Sequence, residues 1–459
     1  MTSTGGFAGN GVTELIVREA RAVRWHLLPE ATREAARHCL LDWMGCAVAG
    51  ADDELTNILV EEFGGGNSGA AEGGVCIIGR RLSAGLLNAA MINGAASHAL
   101  DYDDVNLAML GHPSVAILPG LLALAESRNA DGAATMAAFV AGYEAACRVG
   151  KLVGSAHYNH GFHTTATIGS IGSAVACAHL LGLDQAPFLH AVGIAATQAA
   201  GLKSMFGTMC KPFHAGKAAQ NGLMAARLAS RGFTSRTDSL ECPQGFAATL
   251  STTQDPEAAM APPPRGHYIV DTLFKYHAAC YLTHAAIECA IGARQERSLP
   301  PENIASIVLR TNTQNDKVCN IAIPNSGLEA KFSLRQNMAM ALAGLDTAAP
   351  ATYSDHMTRD DSLAALRGKV RVELVEDLSI TTAEMTLTTT DGSILKRSHD
   401  AGIPAANLAE QRLRLQSKFE SLVTPVLGSQ ATGRLAALIA DVDNTANMAM
   451  LIRAAALPE

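Results

Sequence analysis

The chain has 459 residues, with 35 lysines and arginines against 43 aspartates and glutamates, a net charge of -8 and a hydrophobic fraction of 48%. That supply of apolar side chains fills large cores in two or three folding units, which excludes a disordered chain. Only 17% of residues are charged and 5% aromatic, so there is neither a basic stripe for phosphate backbones nor an aromatic platform for stacked bases, and nucleic acid is excluded as a partner.

Apolar residues recur at helical spacing over residues 13–28 and again over 30–49, where Ala36, Cys39, Leu40, Trp43 and Ala47 share one face and Pro29 separates the pair. Residues 63–74, rich in glycine, predict a flexible connection, and Ser83 then caps a helix expected to run through Leu86, Leu87, Ala90 and Met91 towards Asn93-Gly94. Ala-rich helices follow over 115–127, 136–149, 168–181, 187–200 and 216–231. The pattern changes after Gly232. Residues 304–311, 370–374 and 383–390 alternate like strands, and Asp391-Gly392 followed by residues 393–398 reads as a hairpin. Helices are expected at 279–294 and 333–343, and again from 408 to the end. The economical fold class is mainly α, with a large helical domain built from both chain ends (1–268 with 402–459) and a smaller α+β domain (269–401) inserted between them.

The ten cysteines are scattered without C-x-x-C spacing and read as reduced core thiols. The first residues carry no signal-peptide pattern. The longest apolar stretch, residues 115–125, is broken by Pro119 and falls short of the roughly 20 residues a bilayer helix needs. A soluble, cytoplasmic protein with no membrane contact is expected.

Four clusters carry polar chemistry. His98, Asp101, Tyr102, Asp103 and Asp104 precede His112-Pro113-Ser114. Such density suits general acid–base work, because neighbouring carboxylates and imidazoles shift one another's pKa; it also suits a metal, or simple helix capping. In the second cluster His163 stands before a helix whose first turn, Thr164 to Thr167, offers free N–H groups to an anion such as a carboxylate. The third holds Lys211-Pro212-Phe213-His214 and the fourth Lys275-Tyr276-His277; each lysine suits an anionic ligand, or a solvated surface. Phosphate-loop, Rossmann and serine-hydrolase motifs are absent.

The strings Leu40 to Gly50, Asn93 to Asp104, Gly111 to Ser114, Gly161-Phe162-His163, Lys211 to Gly216 and Glu329 to Ser333 together resemble the MmgE/PrpD family, in order and across most of residues 12–400. The resemblance implies a helical domain with a smaller α+β lid in a homodimer, and a cofactor-free enzyme acting on a small polycarboxylate: a 2-methylcitrate dehydratase, a cis-aconitate decarboxylase or an iminodisuccinate epimerase. It implies catalytic roles for Asp101, His112 and His163, with Asp101 and His112 as the proton-transfer pair, and substrate binding by Lys211, Lys275, Thr164 and His98. The shared step is removal of a proton α to a carboxylate, with cations holding the developing enolate charge. A metal enzyme built on His98, Asp101, Asp103, Asp104 and His112 is the alternative from another class. Two departures from the family pattern bear on the outcome: Gln336 replaces a tyrosine and Val105 a threonine. Both remove hydroxyls, which places an epimerase first, a dehydratase second and a decarboxylase third.

Overall fold

The computed structural model describes residues 11–64, 74–296 and 299–457. The glycine-rich connection expected at 63–74 lies, except for its ends, outside the described residues, as do residues 1–10. The fold is mainly α: twenty α-helices stand against six short strands among the described residues. The chain divides into two compact units, Met1–Phe274 with Asn407–Glu459, and Lys275–Ala406.

The first unit contains α1 (Val12–Ala22), α2 (Glu30–Ala49), α3 (Glu54–Phe63), a hairpin of β1 (Val75–Ile77) and β2 (Leu82–Ala84), and then α4 (Leu86–His98), α5 (Pro113–Arg128), α6 (Gly132–His160), α7 (Thr164–Leu180), α8 (Gln185–Gln198) and α9 (Cys210–Ala229). Two short helices follow, α10 (Phe246–Leu250) and α11 (Pro256–Met260). Helices α5 and α7 are apolar and buried on nearly every side, the pattern of a central helix rather than a surface one.

Helix α4 differs from its expected form at both ends. Ser83 belongs to β2 and does not cap the helix, and the chain continues in helix through Asn93-Gly94 to His98. Asn93 is tolerated because its buried amide serves the hairpin, accepting from Ile78 N and donating to Cys76 O, both at 3.0 Å. Gly94 is needed because a Cβ there would stand 2.7 Å from the Gly216 Cα of α9; the two helices meet backbone to backbone. Helix α9 also starts earlier than expected, at Cys210, so Lys211, Pro212 and His214 lie in its first turns. Helix α6 runs to His160 across a break at Gly154, φ +56°.

The second unit contains α12 (His284–Glu296), β3 (Ile304–Asn312), short α13 (Asp316–Cys319) and α14 (Gly327–Ala330), α15 (Leu334–Leu342), α16 (Asp355–Arg359), α17 (Asp361–Gly368), β4 (Val370–Val375), β5 (Thr382–Thr389) and β6 (Ile394–Asp400). The strand order is β4-β3-β5-β6, with β3 and β4 parallel and the other pairs antiparallel. Alternate residues Ala383, Met385, Leu387 and Thr389 of β5 are buried, on the period of two that a half-covered strand requires, and α12 covers the sheet there. Asp391-Gly392 makes the expected hairpin turn, Gly392 with φ +84°. Ser333 caps α15 through Gln336 N.

The chain then returns to the first unit as α18 (Leu408–Leu427), α19 (Ser429–Ala440) and α20 (Met448–Ala454), with α18 packed along α2. No helix among the described residues is long and apolar enough to cross a membrane.

Candidate active site

The carboxyl end of α4, the amino ends of α5, α7 and α9, and the turn from Leu100 to Leu110 bring the first three polar clusters together. His98 ends α4 and is fully buried; its Nδ1–H donates to Asp103 Oδ1 at 2.7 Å. The other Asp103 oxygen lies 2.7 Å from His112 Nδ1, a charge contact too oblique for a hydrogen bond. Asp103 thus sits between two imidazoles. Burial alone would raise its pKa, but His98 and His112 outweigh it and hold the carboxyl well below the usual range. His98 is pushed down to about 4 by burial, against the pull of Asp103, so at neutral pH a neutral imidazole donates to an anion. The remaining ring nitrogen, His98 Nε2, has no hydrogen-bond partner among the described residues.

His112 occupies the position just before α5, with Pro113 as first helical residue. Its backbone N–H donates to Thr165 Oγ1 at 3.1 Å, and Thr164 Oγ1–H donates to Leu110 O at 2.5 Å. The first turn of α7 therefore fastens the loop that carries His112, and the Thr164 hydroxyl is committed to that task. A Cβ on Gly111 would stand 2.6 Å from Thr164 Oγ1, which explains the glycine. With Nδ1 turned to Asp103, His112 presents Nε2 to the other side, 3.7 Å from Asp101 Oδ1.

Asp101 is the exposed member of the group. Its Oδ1 lies 2.7 Å from Lys211 Nζ, and its backbone adopts the left-handed conformation, φ +49°, which aspartate tolerates better than most residues. Asp104 points inward and accepts from Ser114 N at 3.4 Å and Ser114 Oγ at 2.6 Å. It performs the capping that the sequence left open for the whole cluster. Burial and the charge of Asp42 raise it to about 8, so the protonated form prevails at neutral pH.

His163 is buried, its ring 6.1 Å from that of His98, and its Nδ1 stands 3.1 Å from His214 Nδ1. One of the two nitrogens must be protonated and the other bare for this contact to be a hydrogen bond. Burial first, then the surrounding His98 and Lys211, keeps His163 neutral. Lys275 belongs to the second unit, where it is buried. His277 there meets Thr347 Oγ1 at 2.8 Å and Glu288 Oε1 at 3.1 Å, and burial, with the charges of His277 and Lys275, holds His284 neutral. Gln336, also in the second unit, is fully buried and accepts from Arg367 Nη1 at 2.6 Å.

Donor atoms of His98, Asp101, Asp103 and His112 all lie within 4.8 Å of one another, a set with the chemistry of a divalent-cation site. The Lys211 ammonium already supplies positive charge at one of its four members. His214 is named in the sequence only as a neighbour of Lys211, and two further contributors are not singled out there: Asp42 and Lys418. The last two are detectable in principle, since each interrupts an apolar helical stripe, Asp42 between Cys39 and Cys46, and Lys418 between Leu415 and Leu422.

The MmgE/PrpD N-terminal domain matches residues 15–259 and the MmgE/PrpD C-terminal domain residues 277–444. The chain belongs to the MmgE/PrpD family. Among MmgE/PrpD relatives, the cis-aconitate decarboxylase of Aspergillus terreus (strain NIH 2624 / FGSC A1156) is 30% identical over 337 residues, covering 68% of this chain and 67% of its own. The Homo sapiens cis-aconitate decarboxylase is 27% identical over 379 residues, 79% of this chain and 78% of its own. The Mus musculus cis-aconitate decarboxylase is 28% identical over 386 residues, 80% and 77% respectively.

Proposed function

We propose that this MmgE/PrpD protein is a cofactor-independent enzyme that moves a proton at a carbon next to a carboxylate of a small di- or tricarboxylate. The observation that carries the reading is the bridging of His98 and His112 by Asp103. A buried carboxylate 2.7 Å from Nδ1 favours by its charge the tautomer with the proton on that nitrogen, leaves Nε2 as the atom that gives or takes a proton, and stabilises the imidazolium that forms. His112 Nε2 is therefore the proton carrier. Lys211, held beside it by Asp101, binds a substrate carboxylate and offsets the charge that develops on it. His163 and His214 share a proton nearby and serve as a second relay.

The relatives' names make decarboxylation of a cis-aconitate-type acid the first reaction to test. There the bond to the departing carboxylate breaks, its electron pair passes into the remaining carbon framework, and His112 protonates carbon. Epimerisation is the second reading, supported by Gln336 and Val105, which supply no hydroxyl where the family pattern has one. It needs only removal of an α-proton and its return to the other face. A metal-dependent reaction is disfavoured by the Lys211 ammonium beside Asp101, which would repel a divalent ion.

Incubation with cis-aconitate, 2-methylcitrate and amino-dicarboxylates in deuterated water, followed by mass spectrometry and carbon dioxide release, separates these outcomes. Decarboxylation releases carbon dioxide and leaves deuterium on the product, whereas epimerisation incorporates deuterium with the carbon count unchanged. Dehydration of 2-methylcitrate lowers the mass by one water, and a substrate panel that shows none of the three overturns the reading.

A further inference from the structure

Behind the acidic turn lies a charged pair that the proton transfer does not use. Lys418 of α18 and Asp42 of α2 are each 2% exposed. Lys418 Nζ donates to Asp42 Oδ1 and to the Tyr102 carbonyl, both at 2.6 Å, and lies 3.9 Å from the centre of the Tyr102 ring. Tyr102 is the residue between Asp101 and Asp103. Its peptide therefore links the lysine-held carboxylate to the histidine-held one, at the point where Asp101 leaves the ordinary backbone regions.

Burying an ammonium and a carboxylate costs their hydration, and replacing such a pair with neutral side chains often leaves a protein equally or more stable. Core stability is thus a weak reason for this pair. Positioning is a stronger one: an ammonium directs donors in several directions from one atom, so a single side chain holds the Tyr102 carbonyl and ring while Asp42 fixes its own location.

We propose that Lys418 and Asp42 are positioning residues, which hold the Tyr102 peptide so that Asp101 and Asp103 meet Lys211 and His112 in the geometry proton transfer requires. The proposal rests on the proton-transfer reading above, and its test separates the two. The full chain is compared with Lys418→Met and with Asp42→Asn/Lys418→Met, which removes both charges. Three quantities are measured: melting temperature, kcat and KM for the substrate found with the panel, and hydrogen–deuterium exchange of the peptide covering residues 99–106.

The double variant should melt at or above the wild-type temperature, yet lose about 100-fold in kcat, the scale of a displacement of about 1 Å, with KM changed by less than about threefold. Exchange of residues 99–106 should accelerate roughly tenfold while α2 and α18 exchange as before. A purely structural pair gives a stable double variant with wild-type kcat and exchange, which overturns the proposal, as does acceleration spread evenly over α2 and α18. If neither Met variant folds, Lys418→Arg keeps the charge but redirects the donors, and wild-type kcat in that variant overturns it. If the wild-type protein turns over nothing, the proton-transfer reading falls, and the exchange of residues 99–106 in the double variant decides whether the pair holds the turn.

Discussion

Lys211 Nζ reaches Asp101 Oδ1 at 2.7 Å only because the Asp101 backbone turns into the left-handed region, φ +49°. The side chain thereby meets Lys211 first, with His112 Nε2 a longer 3.7 Å away, and two neighbouring carboxylates take different nearest partners. Lys211 then sits where an incoming carboxylate would share it.

Replacing Lys211 by Met should accordingly weaken binding more than turnover. We expect KM for the substrate to rise about tenfold or more, the cost of one charge-assisted contact, with a smaller fall in kcat. Steady-state kinetics decide this, and an unchanged KM removes Lys211 from substrate binding.

Asp103→Asn tests the bridge. An amide can keep the shape and the hydrogen bond to His98, but it carries no charge to set 2.7 Å from His112 Nδ1, so the electrostatic preference for a proton on that nitrogen is lost. Turnover should fall on the order of 10³-fold while circular dichroism stays that of the folded protein, by analogy with carboxylate-oriented histidines in general. Activity close to wild type would show that His112 needs no such orientation.

Asp104 gives a prediction in pH. Its ordinary value is 3.8 and burial with Asp42 raises it to about 8, so between those values the folded chain keeps a proton that the unfolded chain has released. The stability it contributes is complete below about pH 4 and is lost as pH rises towards 8. In Asp104→Asn that loss is absent. His98, lowered to about 4, acts in the opposite sense but is common to both proteins and cancels. The stability of the variant relative to wild type should therefore increase steadily from pH 5 to pH 8 in urea titrations, and a constant difference contradicts a protonated Asp104.

The donor set of His98, Asp101, Asp103 and His112 makes chelation informative. Because Lys211 already answers the charge of Asp101, activity should survive dialysis against EDTA and dipicolinate, and elemental analysis should find no stoichiometric metal. Loss of activity on chelation, restored by one divalent ion, would replace Lys211 with that ion in the account of the site.

Much of this arrangement is legible in the sequence, and the remainder is instructive. Helical period and the Asp391-Gly392 turn revealed the helices and the β5–β6 hairpin, because both patterns are local. The β1–β2 hairpin escaped: its strands are three residues each, too short to show alternation. The length of α4 was misread for a different reason. Asn93-Gly94 resembles a helix end, but tertiary contacts with Cys76, Ile78 and Gly216 override that preference. Within the site, density marked the right turn of chain, yet could not assign partners to Asp101, Asp103 and Asp104. The choice among them depends on one backbone angle at Asp101 and on Lys418, which arrives from more than 300 positions away.

The close approach of Gly94 and Gly216 sets a limit on how this protein can diverge. The two helices that meet there carry His98 at one end and Lys211 and His214 at the other, and at Gly94 and Gly216 backbone faces backbone with no side chain between. A drifting sequence can therefore neither widen nor narrow the gap by one methyl group at a time. New substrate preferences must be acquired in the turn around Asp101, in the loop before α5, or in side chains that face the ligand, while the spacing between the histidine and lysine ends is inherited almost unchanged.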